Sequence, residues 1–206
     1  KDEEKYADPD SGARWLCDQM DRQVLEADML PFIDTDLGPG SLAVYLGCAP
    51  KTIGDTVWFH TPYRCREEIP ERLEWDDDGI WWLRTKRLFQ QLAQFSGENT
   101  ILPFPDLCEN IDVLASLRGA ENLMCDMLDD PAWVEEKIGQ IDDVYQIAIN
   151  RLLPFVRRKD NSTAFHAFRL WGRGLTAKVQ CDSAAMISRD MFDRFVVPSL
   201  DRKSVV

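Results

Sequence analysis

The sequence predicts an α/β fold built from parallel βα units, either a doubly wound sheet or a barrel. Three observations predict it. Short apolar runs alternate with amphipathic helical stretches along the chain. Acidic or Gly-rich loops follow the extended runs, as after Ile33, after Phe104 and around Gly172 and Gly174. The 206-residue length and 45% apolar content suit one domain with a real core.

The elements follow in order. Asp8-Pro9-Asp10-Ser11 supplies a helix start, and Leu16, Met20 and Val24 give one apolar face. Ala27 to Ile33 reads as a short buried strand carrying Pro31. Asp34 to Gly40 is a turn with two acids and two glycines. Ser41 to Gly47 reads as a short helix and Thr56 to His60 as extended chain. Trp75 to Asp78 opens a helix that runs to Phe95 and is ended by Gly97. Thr100 to Phe104 is a strand candidate, with Asp106, Glu109 and Asn110 in the loop after it. Ile111 to Leu117 and Glu121 to Leu128 are short helices. Asp130 caps the clearest helix, Pro131 takes its first position, and Val134, Ile138, Ile141, Tyr145, Ala148, Ile149 and Leu152 recur at helical spacing. Ala164 to Phe168 and Leu175 to Cys181 read as extended, and Ser188 caps a last helix bearing Phe192, Phe195 and Val196.

Composition excludes some functions. The net charge of −12 repels phosphate backbones, so no nucleic-acid partner is expected. No run approaches the roughly 20 apolar residues of a membrane helix, so no membrane partner is expected either. The six cysteines form no C-x-x-C pair, and their wide spacing fits free cytosolic thiols.

Three stretches carry a family resemblance. The last runs Val179-Gln180-Cys181-Asp182-Ser183 through Ser188, Met191-Phe192 and Phe195 to Pro198. The first is Phe32-Ile33-Asp34 with Gly38-Pro39-Gly40 and Leu46-Gly47. The middle one is Leu117-Arg118-Gly119, Leu123-Met124, Asp129-Asp130-Pro131 and Trp133-Val134, a packing signature. Together they resemble the uroporphyrinogen decarboxylase superfamily over about residues 20 to 200. The resemblance implies a partial (β/α)8 TIM barrel, parallel strands alternating with helices, with its site at the C-terminal strand ends. Such a barrel takes about 250 residues, so residues 1–200 are expected to be a barrel domain incomplete at both ends. Asp201 to Val206 is expected to be a non-native tail, because a string found in common sequencing adapters encodes it.

The resemblance also implies a site. Asp34 matches the substrate-facing aspartate, and Asp36 is the neighbouring register of that position. Asp182 ends the last strand facing inward, opposite to Cys181 by the two-residue period. Asp34 and Asp182 are therefore the expected catalytic acids. Asp36, Asp106, Glu109, Asn110, Ser183 and His166 are the expected substrate contacts. No metal ligand set is assigned: His60 and His166 are the only histidines, and no tight Cys/His cluster occurs. Zinc or a corrinoid is implied only for a full-length parent.

Two departures weaken the decarboxylase reading. Phe104 to Asn110 replaces the aromatic-rich run of the decarboxylases, and the Arg-rich substrate motif is absent. The expectation is a cytoplasmic enzyme, a corrinoid- or thiol-linked methyltransferase relative. Its partners would be a small-molecule substrate and a corrinoid protein. The alternatives are the decarboxylase proper, a carbohydrate-active barrel using Trp75, Trp81 and Trp82 to stack sugars, and an inactive truncated fragment.

Overall fold

Helix starts form where the local chemistry demands them. The structure, a computed structural model, describes residues 2–38, 40–53, 56–95, 100–107 and 110–203. It opens with α1 (Asp2–Ala7) and α2 (Pro9–Asp21). The Asp8 carboxylate accepts the Ser11 N–H, and Pro9 sits where no N–H is needed. Leu16 and Met20 are buried on α2, whereas Val24 lies beyond the helix and is exposed. A 3-10 helix covers Ser41–Leu46. Next come β1 (Ala49–Ile53), β2 (Thr56–His60) and α3 (Ile80–Phe95). Gly97, the expected stop of α3, lies outside the described residues.

The C-terminal half is mostly helical: α4 (Asn110–Arg118), α5 (Ala120–Asp129) and α6 (Pro131–Val156). The Asp130 side chain accepts the Trp133 N–H to cap α6. All seven apolar positions expected on that helix are buried, and burial of each Val, Ile or Leu among them is worth about 1.5–3 kcal/mol. After α6 come β3 (Ser162–Phe165), β4 (Leu170–Arg173), α7 (Arg189–Phe195) and α8 (Val197–Lys203). Ser188 caps α7 through the Met191 N–H. Of the expected tail, residues 201–203 continue α8, and Arg202 pairs with Asp143 of α6 at 2.6 Å. α3, α4 and α6 enclose one core with Leu37, Leu42, Phe104 and Phe165.

Among the described residues there is no parallel barrel. The strands form two separate antiparallel pairs, β1 with β2 and β3 with β4. The connections decide this. Parallel pairing needs a crossover of a dozen or more residues, and no more than four residues separate the two strands of either pair. The expected strands at 27–33 and 100–104 reduce to isolated parallel bridges, Phe32 to Ile101 and Phe104 to Phe165. Pro31, Pro103 and Pro105 lack the N–H that a continuous ladder would use. Leu175 to Cys181 forms no strand. Among the described residues, no helix is long and apolar enough to cross a membrane.

Candidate functional site

The isolated bridges matter more for the site than for the fold. Ile33 N–H donates to the Ile101 carbonyl (3.0 Å), and Ile101 N–H to the Pro31 carbonyl (2.8 Å). Phe104 N–H donates to the Ala164 carbonyl (2.8 Å), and His166 N–H to the Phe104 carbonyl (2.8 Å). Three extended segments therefore lie side by side and point the same way. Ile33, Phe104 and Phe165 anchor them in apolar surroundings. Their C-terminal ends deliver Asp34 and Asp36, then Asp106, then His166.

These four side chains form one charged cluster. His166 Nε2 is 3.2 Å from Asp34 Oδ1, and its Nδ1 is 3.8 Å from Asp36 Oδ2. Asp34 Oδ1 also accepts from Lys5 Nζ (3.1 Å) and from the Asp36 N–H (3.0 Å). Asp36 Oδ1 accepts the Asp106 N–H at 3.2 Å. Asp106 pairs with Lys178, and its carbonyl takes both the N–H and the hydroxyl of Ser41, at 3.1 and 2.9 Å. The Phe168 ring stands 5.8 Å from Lys178 Nζ. The cluster is graded from water inward: the Asp34 side chain is 56% exposed, His166 24%, Asp106 10% and Lys178 5%.

Two of its carboxyls are driven apart. Burial pushes the Asp34 carboxyl up. The His166 hydrogen bond, the charges of Lys5 and His166, and the Asp36 N–H outweigh burial and hold it well below the usual range. For Asp106, burial wins: with help from the Asp36 charge it raises the carboxyl despite Lys178 and His166. Neighbouring carboxyls with opposed environments have their titrations pushed apart. Asp34 is the fixed anion.

A pH prediction follows for Asp34. A carboxyl lowered in the folded state stabilises the fold above its unfolded pKa of about 3.9 and loses that contribution as the pH falls. Asp34→Asn should therefore be less stable than wild type at about pH 6, by about 1 kcal/mol or less because water screens the pair. The gap should narrow towards about pH 3. Urea unfolding at the two pH values measures it; a gap that widens in acid contradicts the assignment.

The other expected residues sit elsewhere. Asp182 and Ser183 gather on Asp112 of α4, whose carboxylate accepts the Asp182 N–H (2.7 Å), the Ser183 N–H (3.0 Å) and the Ser183 hydroxyl (2.6 Å). Among the described residues, no hydrogen bond or ion pair joins Asp182 to the His166 cluster. Asp182 and Ser183 instead line a cleft of about 460 Å³ with Trp58, Phe59 and Met186. Asn110 is buried at the start of α4 with a left-handed φ of 46°, and its Oδ1 accepts the Ile111 N–H. Glu109 lies outside the described residues.

Lys5, Lys178 and Asp112 were not expected at any site. Lys178 had a signal, a lone cation in an otherwise uncharged run from Leu175 to Cys181. Lys5 had none, because its partner lies 29 residues away. Trp75 and Trp82, expected to stack sugars in a carbohydrate enzyme, pack against each other at 5.1 Å.

Among the described residues, no three His, Cys, Asp or Glu side chains group closely enough to hold a metal. The described side chains therefore do not fit a zinc ion. Comparison with known proteins adds no identification: no family model, no curated protein and no solved structure matches the chain.

Proposed function

We propose that this chain carries the site of a small-molecule enzyme related to the uroporphyrinogen decarboxylase superfamily, nearer its methyl-transferring members than its decarboxylases. One observation carries the reading: His166 stands between Asp34 and Asp36 at the ends of three aligned segments. With Nε2–H donated to Asp34, Nδ1 is the basic nitrogen, because 3.8 Å to Asp36 is too long for a hydrogen bond. Asp34 then orients the ring and Asp36 pairs with the imidazolium once it forms, the division of labour of a His–carboxylate base.

In methyl transfer to a thiol, sulfur attacks the methyl carbon, the carrier leaves with the bonding pair, and the thiol proton goes to Nδ1 of His166. The charge count favours this over decarboxylation of a polyanion. The cluster holds three carboxylates against two ammonium groups, so with neutral His166 it is net negative and repels carboxylate-rich substrates. A corrinoid protein is the partner proposed to bring the methyl group. The cytoplasm is the proposed location, since Cys17, Cys48, Cys65, Cys125 and Cys181 are all free thiols.

The test is spectroscopic. The protein is mixed with methylcobalamin and 2-mercaptoethanol, and loss of the cobalt–carbon absorbance is followed. Wild type should accelerate demethylation, and His166→Gln should lose at least about tenfold of that acceleration. If wild type leaves the rate at background, the methyl-transfer reading is wrong.

A further inference from the structure

A second site lies far from His166 in the sequence and shares no residue with its cluster. A cavity of about 500 Å³ opens between the 3-10 helix at Ser41–Leu46, the segment from Pro70 to Asp76 and the start of α3. That volume suits a small ligand. Four aromatic rings line it, those of Tyr45, Tyr63, Trp81 and Trp82, and two carboxylates, Glu74 and Asp76, stand on its exposed side. Arg72 is the cation of its lining, and Glu74 engages it at 2.8 Å.

The rings are held in place before any ligand arrives. Tyr45 and Trp82 meet edge to face at 6.5 Å, and both pack on Trp75 at 5.1 Å. The Tyr45 hydroxyl donates to Thr85 Oγ1 (3.1 Å), which donates to the Trp81 carbonyl (2.8 Å). This chain fixes the Tyr45 ring against the first turn of α3. Ordering these side chains thus costs the binding step little.

We propose that this cavity binds a small organic cation of the quaternary ammonium class. Aromatic faces attract a cation through their quadrupole, and Trp81 already does so here, with the Arg84 guanidinium 5.1 Å from its ring centre. The rim adds a long-range bias: Glu74, Asp76, Asp77 and Asp78 fall within five consecutive residues, against Arg72 and Arg151 as their ion-pair partners. An alkylated ammonium matches both parts of this lining, its methyl groups meeting the rings and its charge the Glu74 and Asp76 carboxylates.

Calorimetric titration of the full chain with choline tests the proposal, with neohexanol, the uncharged carbon isostere of choline, as the comparison. Choline should bind saturably and at least about tenfold more tightly than neohexanol. Trp81→Leu, at a half-buried position, should weaken choline at least about tenfold, with Tyr63→Leu as the second variant if the first unfolds. His166→Gln should leave choline binding unchanged, which separates this cavity from the His166 carboxylates. Equal affinity for the two ligands, or retained binding in both aromatic variants, overturns the proposal. Loss of binding in His166→Gln overturns it as well, and so does a saturable response to glucose with none to choline.

Discussion

Lys178→Met is expected to lower the unfolding free energy by about 3 kcal/mol at neutral pH, the usual cost of removing one partner from a buried ion pair. Lys178 and Asp106 are 5% and 10% exposed, so water cannot replace the lost ammonium. Asp106 would remain beside the Asp36 carboxylate, its backbone fixed by Asp36 and Ser41. The sign of the pH dependence is determined. Burial already raises the Asp106 carboxyl, and loss of Lys178 raises it further. A carboxyl raised in the folded state costs nothing below its unfolded pKa of about 3.9, where it is protonated in both states. It costs progressively more as the pH rises through the folded value. The deficit of Lys178→Met should therefore be smaller at about pH 4 than at about pH 7. Adding Asp106→Asn should recover most of the stability at neutral pH, because the uncompensated charge goes with it. Equal deficits at both pH values, or no recovery in the double variant, would show that Lys178 acts through packing alone.

The same pair shows where sequence reasoning reached and where it stopped. The α6 helix was legible throughout, because an Asp cap, a first-position proline and a helical stripe all lie within the segment they shape. Asp34, Asp36 and Asp106 were legible as acids following apolar runs, and His166 as a polar residue within the extended run from Ala164 to Phe168; the structure brings all four together. The sheet was not legible. An apolar run announces burial without saying what it pairs with, and the runs at Phe32 and Phe104 meet their neighbours through single bridges. Their prolines carried that information: Pro31 beside Phe32, and Pro103 and Pro105 on either side of Phe104, each lack a ladder N–H. Lys5 was missed because an ion pair spanning 29 residues leaves no local pattern, whereas Lys178 stood out as a lone cation but gave no sign that its partner would be Asp106. Asp182 shows the opposite case. A resemblance gave it a catalytic place, while the structure gives its backbone to Asp112.

Lys137 links stability to the aromatic cavity. Its side chain is 2% exposed, and its Nζ donates to the carbonyls of Pro70 (3.0 Å) and Glu71 and to Gln140 Oε1 (3.3 Å). Gln140 accepts the Leu73 N–H on the same oxygen at 2.8 Å. Two side chains one turn apart on α6 therefore fasten the segment from Pro70 to Leu73, both of which line the cavity. Lys137→Met keeps the apolar stem and removes the donor, leaving these acceptors unsatisfied at an expected cost of about 2–3 kcal/mol. Choline affinity should fall with it, because the cavity wall from Pro70 to Leu73 is no longer fixed. Burial lowers the Lys137 pKa, against the raising effect of Glu136 and Glu71. A lysine lowered in the folded state makes the fold pay most for the charge at low pH, and stability returns as the pH rises from the folded value towards the ordinary one near about 10.4. Wild type should therefore gain on Lys137→Met in mild alkali. Denaturant titrations at neutral and alkaline pH, paired with choline calorimetry, measure both effects. A variant as stable as wild type that binds choline equally well would mean that the Pro70 to Leu73 segment holds its shape without this cation.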